Sequence, residues 1–264
     1  MNDTLPDDIA VALAAARSRL RGFGAQVWWH DTVSSTNDLA AAHAERGGEE
    51  GCVIGANAQT SGRGRMGRNW TSPAGAGLYI SVVLRPRLDI APLITIAAGV
   101  AVAEGVETAS GLQPMLKWPN DVYVGPRKLA GVLAEAGSAG RGVQHVVLGV
   151  GINVLAAAYP PDVAERATSI ERELGRPCDR GLVLAEYLVA MGQHYRALEQ
   201  GRAAAVMSAW RTRAAGSLGQ TVEWESSGST RRGIAEDIDP RGALLVRTGR
   251  DVVSIIAGEV RWVS

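Results

Sequence analysis

From Gln59 to Trp70 the chain reads Gln-Thr-Ser-Gly-Arg-Gly-Arg-Met-Gly-Arg-Asn-Trp. Three glycines, Gly62, Gly64 and Gly67, are interleaved with three arginines, Arg63, Arg65 and Arg68, and Trp70 closes the run. Glycine permits positive φ and close approach of backbone to a ligand. Arginine supplies a planar fork of donors that matches a carboxylate or a phosphate. The Trp70 indole offers a face for a purine. Together these residues suit a loop that closes over an anionic, adenine-bearing ligand. The Gly-Lys-Ser/Thr ending of a Walker loop is absent. An RGG-type RNA tether would need a longer repeat and a basic chain, and the net charge is +0.

Of the 27 basic residues only two, Lys117 and Lys128, are lysines, eleven positions apart; the other 25 are arginines. Solvated surface positions exchange the two types freely, so the survivors mark sites that need a compact ammonium. Lys117 opens Lys117-Trp118-Pro119-Asn120-Asp121, a tight turn that gathers a cation, an amide and a carboxylate. Lys117 could meet a phosphate, Asn120 could read adenine, and Asp121 could bind magnesium through water or position an amine. Lys128 opens Lys128-Leu129-Ala130-Gly131-Val132-Leu133-Ala134-Glu135, where Gly131 leaves space for something flat. In Gly149-Val150-Gly151-Ile152-Asn153 the paired glycines suggest a bulge or close ligand approach, and Asn153 needs partners if buried. Ser34-Ser35-Thr36-Asn37 caps a following helix, and its hydroxyls and amide could also hold a neutral, urea-like head.

These segments need a scaffold. Residues 7–21 read as an Ala-rich helix, 27–30 as a strand, 39–46 as a helix and 52–57 as a buried strand. Residues 60–77 read as a long loop, 78–84 as a strand and 92–111 as an apolar helix. Strands are expected at 115–118, 121–124, 128–136 and 144–150, then helices at 164–174, 182–199 and 203–215. After Gly216 come short strands at 221–225, 231–237, 243–247 and 252–256 between Gly- and Ser-rich turns. This pattern predicts an α+β domain with an appended small β barrel. The boundaries are residues 1–26 for an N-terminal helix and lead-in, 27–215 for the catalytic domain and 216–264 for the barrel.

With 264 residues, 46% hydrophobic and 20% charged, the chain is an ordinary globular one. Two cysteines and four histidines are too few and too scattered for a disulfide framework or a zinc site. The apolar run 90–103 contains Pro92 and Thr95 and falls short of about 18 residues, so no membrane span is expected. The acidic start does not read as a signal peptide, which makes a cytoplasmic location the expectation.

Taken in order, Ser35-Thr36-Asn37, Gly62-Arg63-Gly64-Arg65-x-Gly67-Arg68-x-Trp70, Lys117-Trp118-Pro119-Asn120-Asp121, Lys128-Leu129-Ala130-Gly131 and Gly149-x-Gly151-Ile152-Asn153 resemble biotin protein ligases. The resemblance runs from about residue 27 to the C-terminus. It implies the class II synthetase-like fold, a mixed sheet with flanking helices, and an SH3-like C-terminal barrel. It implies ATP and biotin as substrates with Mg²⁺, biotinyl-5′-AMP as the activated species, and a biotin carboxyl carrier domain of acyl-CoA carboxylases as partner. By the same resemblance, Ser35, Thr36, Asn37 and Gln59 contact the biotin head, with Gly131 beside it. Arg63, Gly64 and Arg65 cover the biotin carboxylate and the phosphate, and Arg68 is a second phosphate ligand. Trp70 packs near adenine, whose edge Asn120 and Asn153 read. Lys117 neutralises pyrophosphate, Lys128 aligns the carboxylate with the α-phosphate, and Asp121 orients the acceptor lysine. Metal ligands are left unassigned and a homodimer is left open. The bifunctional members carry an N-terminal helix-turn-helix domain that this sequence does not match, so a monofunctional ligase without DNA binding is expected. A lipoate ligase of the same superfold and a nucleic-acid-binding repressor are the alternatives.

Overall fold

The computed structural model describes residues 4–139, 142–157, 159–226 and 228–263. After α1 (Asp7–Leu20), the chain forms β1 (Val27–Val33), α2 (Thr36–Glu45), β2 (Val53–Gln59) and β3 (Gly77–Leu84). Then follow α3 (Ile94–Ser110), β4 (Met115–Lys117), β5 (Asp121–Val124), β6 (Arg127–Ala139) and β7 (Gly142–Asn153). These strands build one seven-stranded sheet in the order β1-β2-β3-β7-β6-β5-β4, mixed because β1 and β2 pair in parallel and the other pairs are antiparallel. Helices α4 (Pro161–Ala164), α5 (Ile170–Leu174), α6 (Arg180–Glu199) and α7 (Ala203–Ala214) lead to a second sheet. Its strands β8 (Thr221–Ser226), β9 (Ser229–Ile238), β10 (Leu244–Thr248), β11 (Asp251–Ile255) and β12 (Val260–Val263) are all antiparallel, in the order β11-β10-β9-β8-β12.

The first sheet is covered unequally. Leu78, Ile80, Val82 and Leu84 of β3 point into the main core, shared with α1, α3 and α6. On the opposite face α2 closes only a small cluster, Ala40, Ala44, Cys52, Ile54, Val83 and Val147. A fully buried Leu, Ile or Val contributes roughly 1.5–3 kcal/mol. Stability therefore comes mainly from the α3/α6 side, and the thinly packed α2 side has room for polar groups. Residues Ala91–Ser110 form one helical run long and apolar enough to cross a membrane, longer than the sequence reading counted. Burial explains its apolarity. It packs against α6 so closely that a methyl at Gly105 would stand 2.6 Å from the Tyr187 backbone nitrogen.

The N-terminal helix α1 buries Ile9, Leu13, Ala16 and Leu20 in the same core, and ion pairs Arg19–Glu186 and Arg180–Asp8 tie it to α6. The core also continues into the C-terminal sheet through Val222, Ala235, Leu244 and Val246. Two expectations need correction. The helix predicted over 164–174 is broken, because the Lys128 amide donates to the Arg166 carbonyl and the Thr168 amide to the Lys128 carbonyl, which takes that backbone out of a helix. A new helix then starts where Ser169 accepts from the Arg172 amide. The C-terminal domain has a fifth strand, β12, which the sequence reading missed. Within the 60–77 loop, backbone bridges Gln59–Ser72 and Arg63–Asn69 and a 3₁₀ turn at Arg65–Gly67 impose order.

Candidate active site

Strand register presents two rows of residues to the α2 side of the sheet. One row is Ser81–Gly149–Leu133, and its neighbour is Tyr79–Gly151–Gly131–Asp121. The glycines let other groups lie on the backbone. A methyl at Gly149 would stand 2.3 Å from Asn37 Oδ1, and one at Gly151 would stand 2.4 Å from the Trp70 ring. The flat group expected near Gly131 is this same indole, 3.0 Å from where a methyl would be. Lys128 joins the second row through a bulge. Val122 faces Ala130 but Tyr123 faces Lys128, so the extra residue, Leu129, turns into the core and leaves Lys128 on the site side.

Above these rows lies a cleft of about 540 Å³. Every residue expected at the site lines it except Asn153. Asn153 is buried, and its Nδ2 donates to the Thr168 carbonyl at 2.9 Å, so its amide supports the wall behind the cleft.

One end of the cleft is neutral and polar. Ser35, Thr36 and Asn37, at the start of α2, are all buried. Ser35 occupies the N-cap position, yet its side chain makes no capping bond. Gln59 Oε1 accepts from the Thr36 amide at 2.9 Å, and Gln59 Nε2 donates to Ser72 Oγ at 2.9 Å. Ser81 Oγ donates to Asn37 Oδ1 at 2.5 Å and lies 2.8 Å from Thr36 Oγ1. Asn37 Nδ2 donates to Glu135 Oε2 at 2.5 Å. Such a connected set of buried donors and acceptors fixes each group's orientation.

The other end is cationic, and three of its charges, Arg63, Arg68 and Lys128, have carboxylate partners. Arg63 pairs with Asp38 at 2.6 Å and Glu135 at 2.9 Å, and Lys128 Nζ pairs with Asp121 at 2.6 Å. Arg68 pairs with Glu259 in the turn before β12, whose carboxyl it holds below the usual carboxylate range. Arg65 donates to Asn120 Oδ1 at 3.3 Å and to the Gly258 carbonyl at 3.4 Å. The two sheets thus both wall the cleft. Lys117 Nζ sits 4.3 Å over the Tyr123 ring, and burial lowers its pKa, opposed by the Asp121 charge. Burial pushes the Tyr123 phenol up to about 12, with Asp121 adding to the shift and Arg166 opposing it. Lys128 Nζ is 5.5 Å from the centre of the Trp70 ring, and the Trp70 Nε1 proton has no acceptor among the described residues.

Residues 29–153 match the biotin/lipoate A/B protein ligase family, and residues 217–261 match the biotin protein ligase C-terminal domain. The chain is 35% identical over 258 residues to the biotin–[acetyl-CoA-carboxylase] ligase of Mycobacterium tuberculosis, covering 92% of each protein. It is 33% identical over 241 residues to the bifunctional ligase/repressor BirA of Bacillus subtilis, covering 90% of this chain and 74% of that one. The chain belongs to the biotin protein ligase family. The fold agrees: the biotin protein ligase from Aquifex aeolicus in complex with biotin and ATP matches with a TM-score of 0.79 and 27% identity, over 90% of this chain and 100% of that one.

This biotin ligase has the mixed-sheet α+β architecture and C-terminal β domain that its motifs imply. The sequence reading missed several groups at the site. Ser81 is the one small polar side chain inside the fully buried β3, and that interruption is a signal for it. Glu135 ends the quoted Lys128 motif but received no role, although it bridges Asn37 to Arg63. Ser72, Tyr123, Arg166 and Glu259 carry no local signal and arrive through long-range pairing. Among the described residues, no group of three or more His, Cys, Asp or Glu side chains gathers to hold a metal.

Proposed function

We propose that this cleft joins biotin and ATP to form biotinyl-5′-AMP and then passes biotin to a lysine of a biotin carboxyl carrier domain. A biotin carboxylate oxygen attacks the α-phosphorus, and the bond to pyrophosphate breaks. The carrier amine then attacks the acyl carbon, and AMP leaves with the electron pair of the acyl–oxygen bond. The observation that carries this reading is the polarity of the single cleft, neutral and hydrogen-bonding at Thr36, Asn37 and Gln59 and cationic at Arg63, Arg65, Arg68, Lys117 and Lys128. A ureido ring bearing a carboxylate tail complements both ends. Bringing a carboxylate to a triphosphate collects negative charge, and fixed cations stabilise that charge as it builds.

In this reading Ser35, Thr36, Asn37 and Gln59 hold the ureido ring, with Gly131 beside the bound biotin. Arg63, Gly64 and Arg65 close over its carboxylate and the α-phosphate, and Arg68 takes a further phosphate oxygen. Lys128 aligns the reacting oxygens, Lys117 neutralises the leaving pyrophosphate, and Trp70 and Asn120 locate the adenine, while Asn153, expected to read it, supports the wall from behind. Asp121 releases Lys128 when anionic substrate arrives and then orients the acceptor amine. Mg²⁺ would enter with the nucleotide's phosphates, since the described residues gather no cage for it. Relatives named as biotin–[acetyl-CoA-carboxylase] ligases support a carboxylase carrier as the acceptor. A lipoate head, an apolar dithiolane, offers no hydrogen-bonding group to this polar end, and any polar group there that it strands costs roughly 1–3 kcal/mol. A DNA-binding role finds no support in a net charge of +0, or in Arg63 and Arg68, which are already paired with carboxylates.

The test is to incubate the purified chain with ATP, Mg²⁺, biotin and an isolated carrier domain. The expected result is one added biotin per carrier, located by mass spectrometry on a single lysine and dependent on ATP. Biotin on the enzyme itself as the obligatory intermediate, or no transfer, would contradict the reading.

A further inference from the structure

Glu135 follows Leu133 on the same face of β6, paired with Val147 of β7, and its Oε2 accepts from Asn37 Nδ2 at 2.5 Å and from Arg63 Nη2 at 2.9 Å. A side-chain amide can point either way, and a hydroxyl can rotate, but an ionised carboxylate has only lone pairs to offer. Glu135 therefore turns the Asn37 amide so that Nδ2 faces the carboxylate and Oδ1 faces the fully buried Ser81. The Ser81 hydroxyl gives its one hydrogen to Asn37 Oδ1 at 2.5 Å. That leaves Ser81 Oγ with lone pairs toward Thr36 Oγ1, at 2.8 Å. The other neighbour of the Thr36 hydroxyl, at 3.2 Å, is Gln59 Oε1, a carbonyl oxygen that the Thr36 amide holds in place. The Thr36 hydrogen thus goes to one of two acceptors inside the network. Thr36 and Asn37 line the cleft, and their Oγ1 and Oδ1 atoms keep only lone pairs for a ligand.

We infer that Glu135 is a positioning residue that sets the polarity of the neutral pocket, making it an acceptor surface for the N–H groups of a ring. The inference rests on the reading of this pocket as the seat of the ureido ring, and it names what selects that ring. A cyclic urea brings N–H donors to Thr36 Oγ1 and Asn37 Oδ1. A ring with oxygen in those places brings lone pairs against lone pairs and leaves both acceptors unpaired. Without the carboxylate, the reversed network, with Asn37 Nδ2 toward Ser81 and each hydrogen turned around, becomes open to the pocket. The tie from Glu135 to Arg63 is separable from this role, because Arg63 has a second carboxylate partner in Asp38 at 2.6 Å.

The test compares wild type with Glu135→Gln, Glu135→Lys and Asp38→Asn by calorimetric titration of biotin and of its cyclic carbonate analogue, in which oxygen replaces both ring N–H groups. Glutamine carries an acceptor and a donor, so it frees the polarity; lysine carries donors only, so it reverses it. Asp38→Asn removes the other partner of Arg63 and leaves the Asn37 amide alone. The quantity read is the preference for biotin, the ratio of the two Kd values. Both ligands carry the same tail, so damage to the cationic end or to the pocket as a whole cancels in that ratio. The preference is expected to fall about tenfold in Glu135→Gln, further in Glu135→Lys, and to stay at the wild-type value in Asp38→Asn. An unchanged preference in both Glu135 variants would overturn the inference. So would an equal fall in Asp38→Asn, which would route the effect through Arg63. If wild type binds no biotin, the ureido reading fails. Ligand-observed NMR with 2-imidazolidinone and ethylene carbonate, which carry the ring alone, then still decides whether Glu135 sets the polarity.

Discussion

At the scale of single residues, the two lysines separate by what surrounds them. Lys128 Nζ rests 2.6 Å from Asp121 and 3.4 Å from where a methyl at Gly131 would stand, a fit for a compact ammonium. Lys128→Arg keeps the charge and loses the fit. It should slow biotinyl-AMP formation by an amount equivalent to about 2.7–4 kcal/mol, while biotin affinity changes far less; single-turnover rates and a biotin titration check this. Lys117 is tuned by burial. Its lowered pKa means that the ammonium is present below that value and is lost as pH rises through it, before an ordinary lysine would titrate. The kcat/KM for ATP should therefore fall on the alkaline side at a pH below the usual lysine range. Lys117→Arg should move that limb upward, and a limb that stays put removes Lys117 from its cause. Residue chemistry was readable in the sequence where type alone betrays purpose, as with two lysines in an arginine-rich chain. Glu135 and Arg166 were not readable, because their types are common and their meaning comes only from what they touch.

At the scale of elements, β7 carries two alternate glycines that serve different ends of the cleft. Gly149 lies under Asn37 in the neutral pocket, and Gly151 lies under the Trp70 indole. A methyl at either position would meet its neighbour at 2.3–2.4 Å, so the neighbour must move. Gly149→Ala should weaken biotin binding by more than about tenfold with ATP affinity little changed, and Gly151→Ala should do the reverse. Isothermal titrations of biotin and of an ATP analogue test the pair, and equal losses of both ligands in both variants would defeat the two-row arrangement. Most strands were legible because alternation and turn residues are local signals, and β5 falls at the predicted 121–124. The helix predicted over 164–174 failed for a non-local reason, since the Lys128 backbone claims the amides and carbonyls that the helix needed. Strand β12 is four residues long and gains its identity only by pairing with β8.

At the scale of the whole molecule, the two sheets share a core and a cleft. The Trp118 Nε1 proton is given to the Gly242 carbonyl at 2.7 Å, Ser217 Oγ donates to the Leu116 carbonyl at 2.9 Å, and Arg68 reaches Glu259. The C-terminal domain should therefore not unfold separately. Urea denaturation followed by tryptophan fluorescence and by far-ultraviolet dichroism should give one coincident transition, and two separated transitions would show that the domains are energetically independent. The change of sequence pattern after Gly216 comes just before β8, the first strand of the second sheet. The sharing of one cleft by both sheets was not visible in the sequence, because it depends on a Gly258–Glu259 turn that returns to the arginine loop.

The most direct measurement of the central claim is mass spectrometry of the products formed by the enzyme with ATP and biotin, with no carrier present and lipoate as the parallel substrate. The account predicts biotinyl-5′-AMP and pyrophosphate in equal amounts with biotin and neither product with lipoate. Release of ADP and phosphate, or an adenylate of lipoate at a comparable rate, would contradict it.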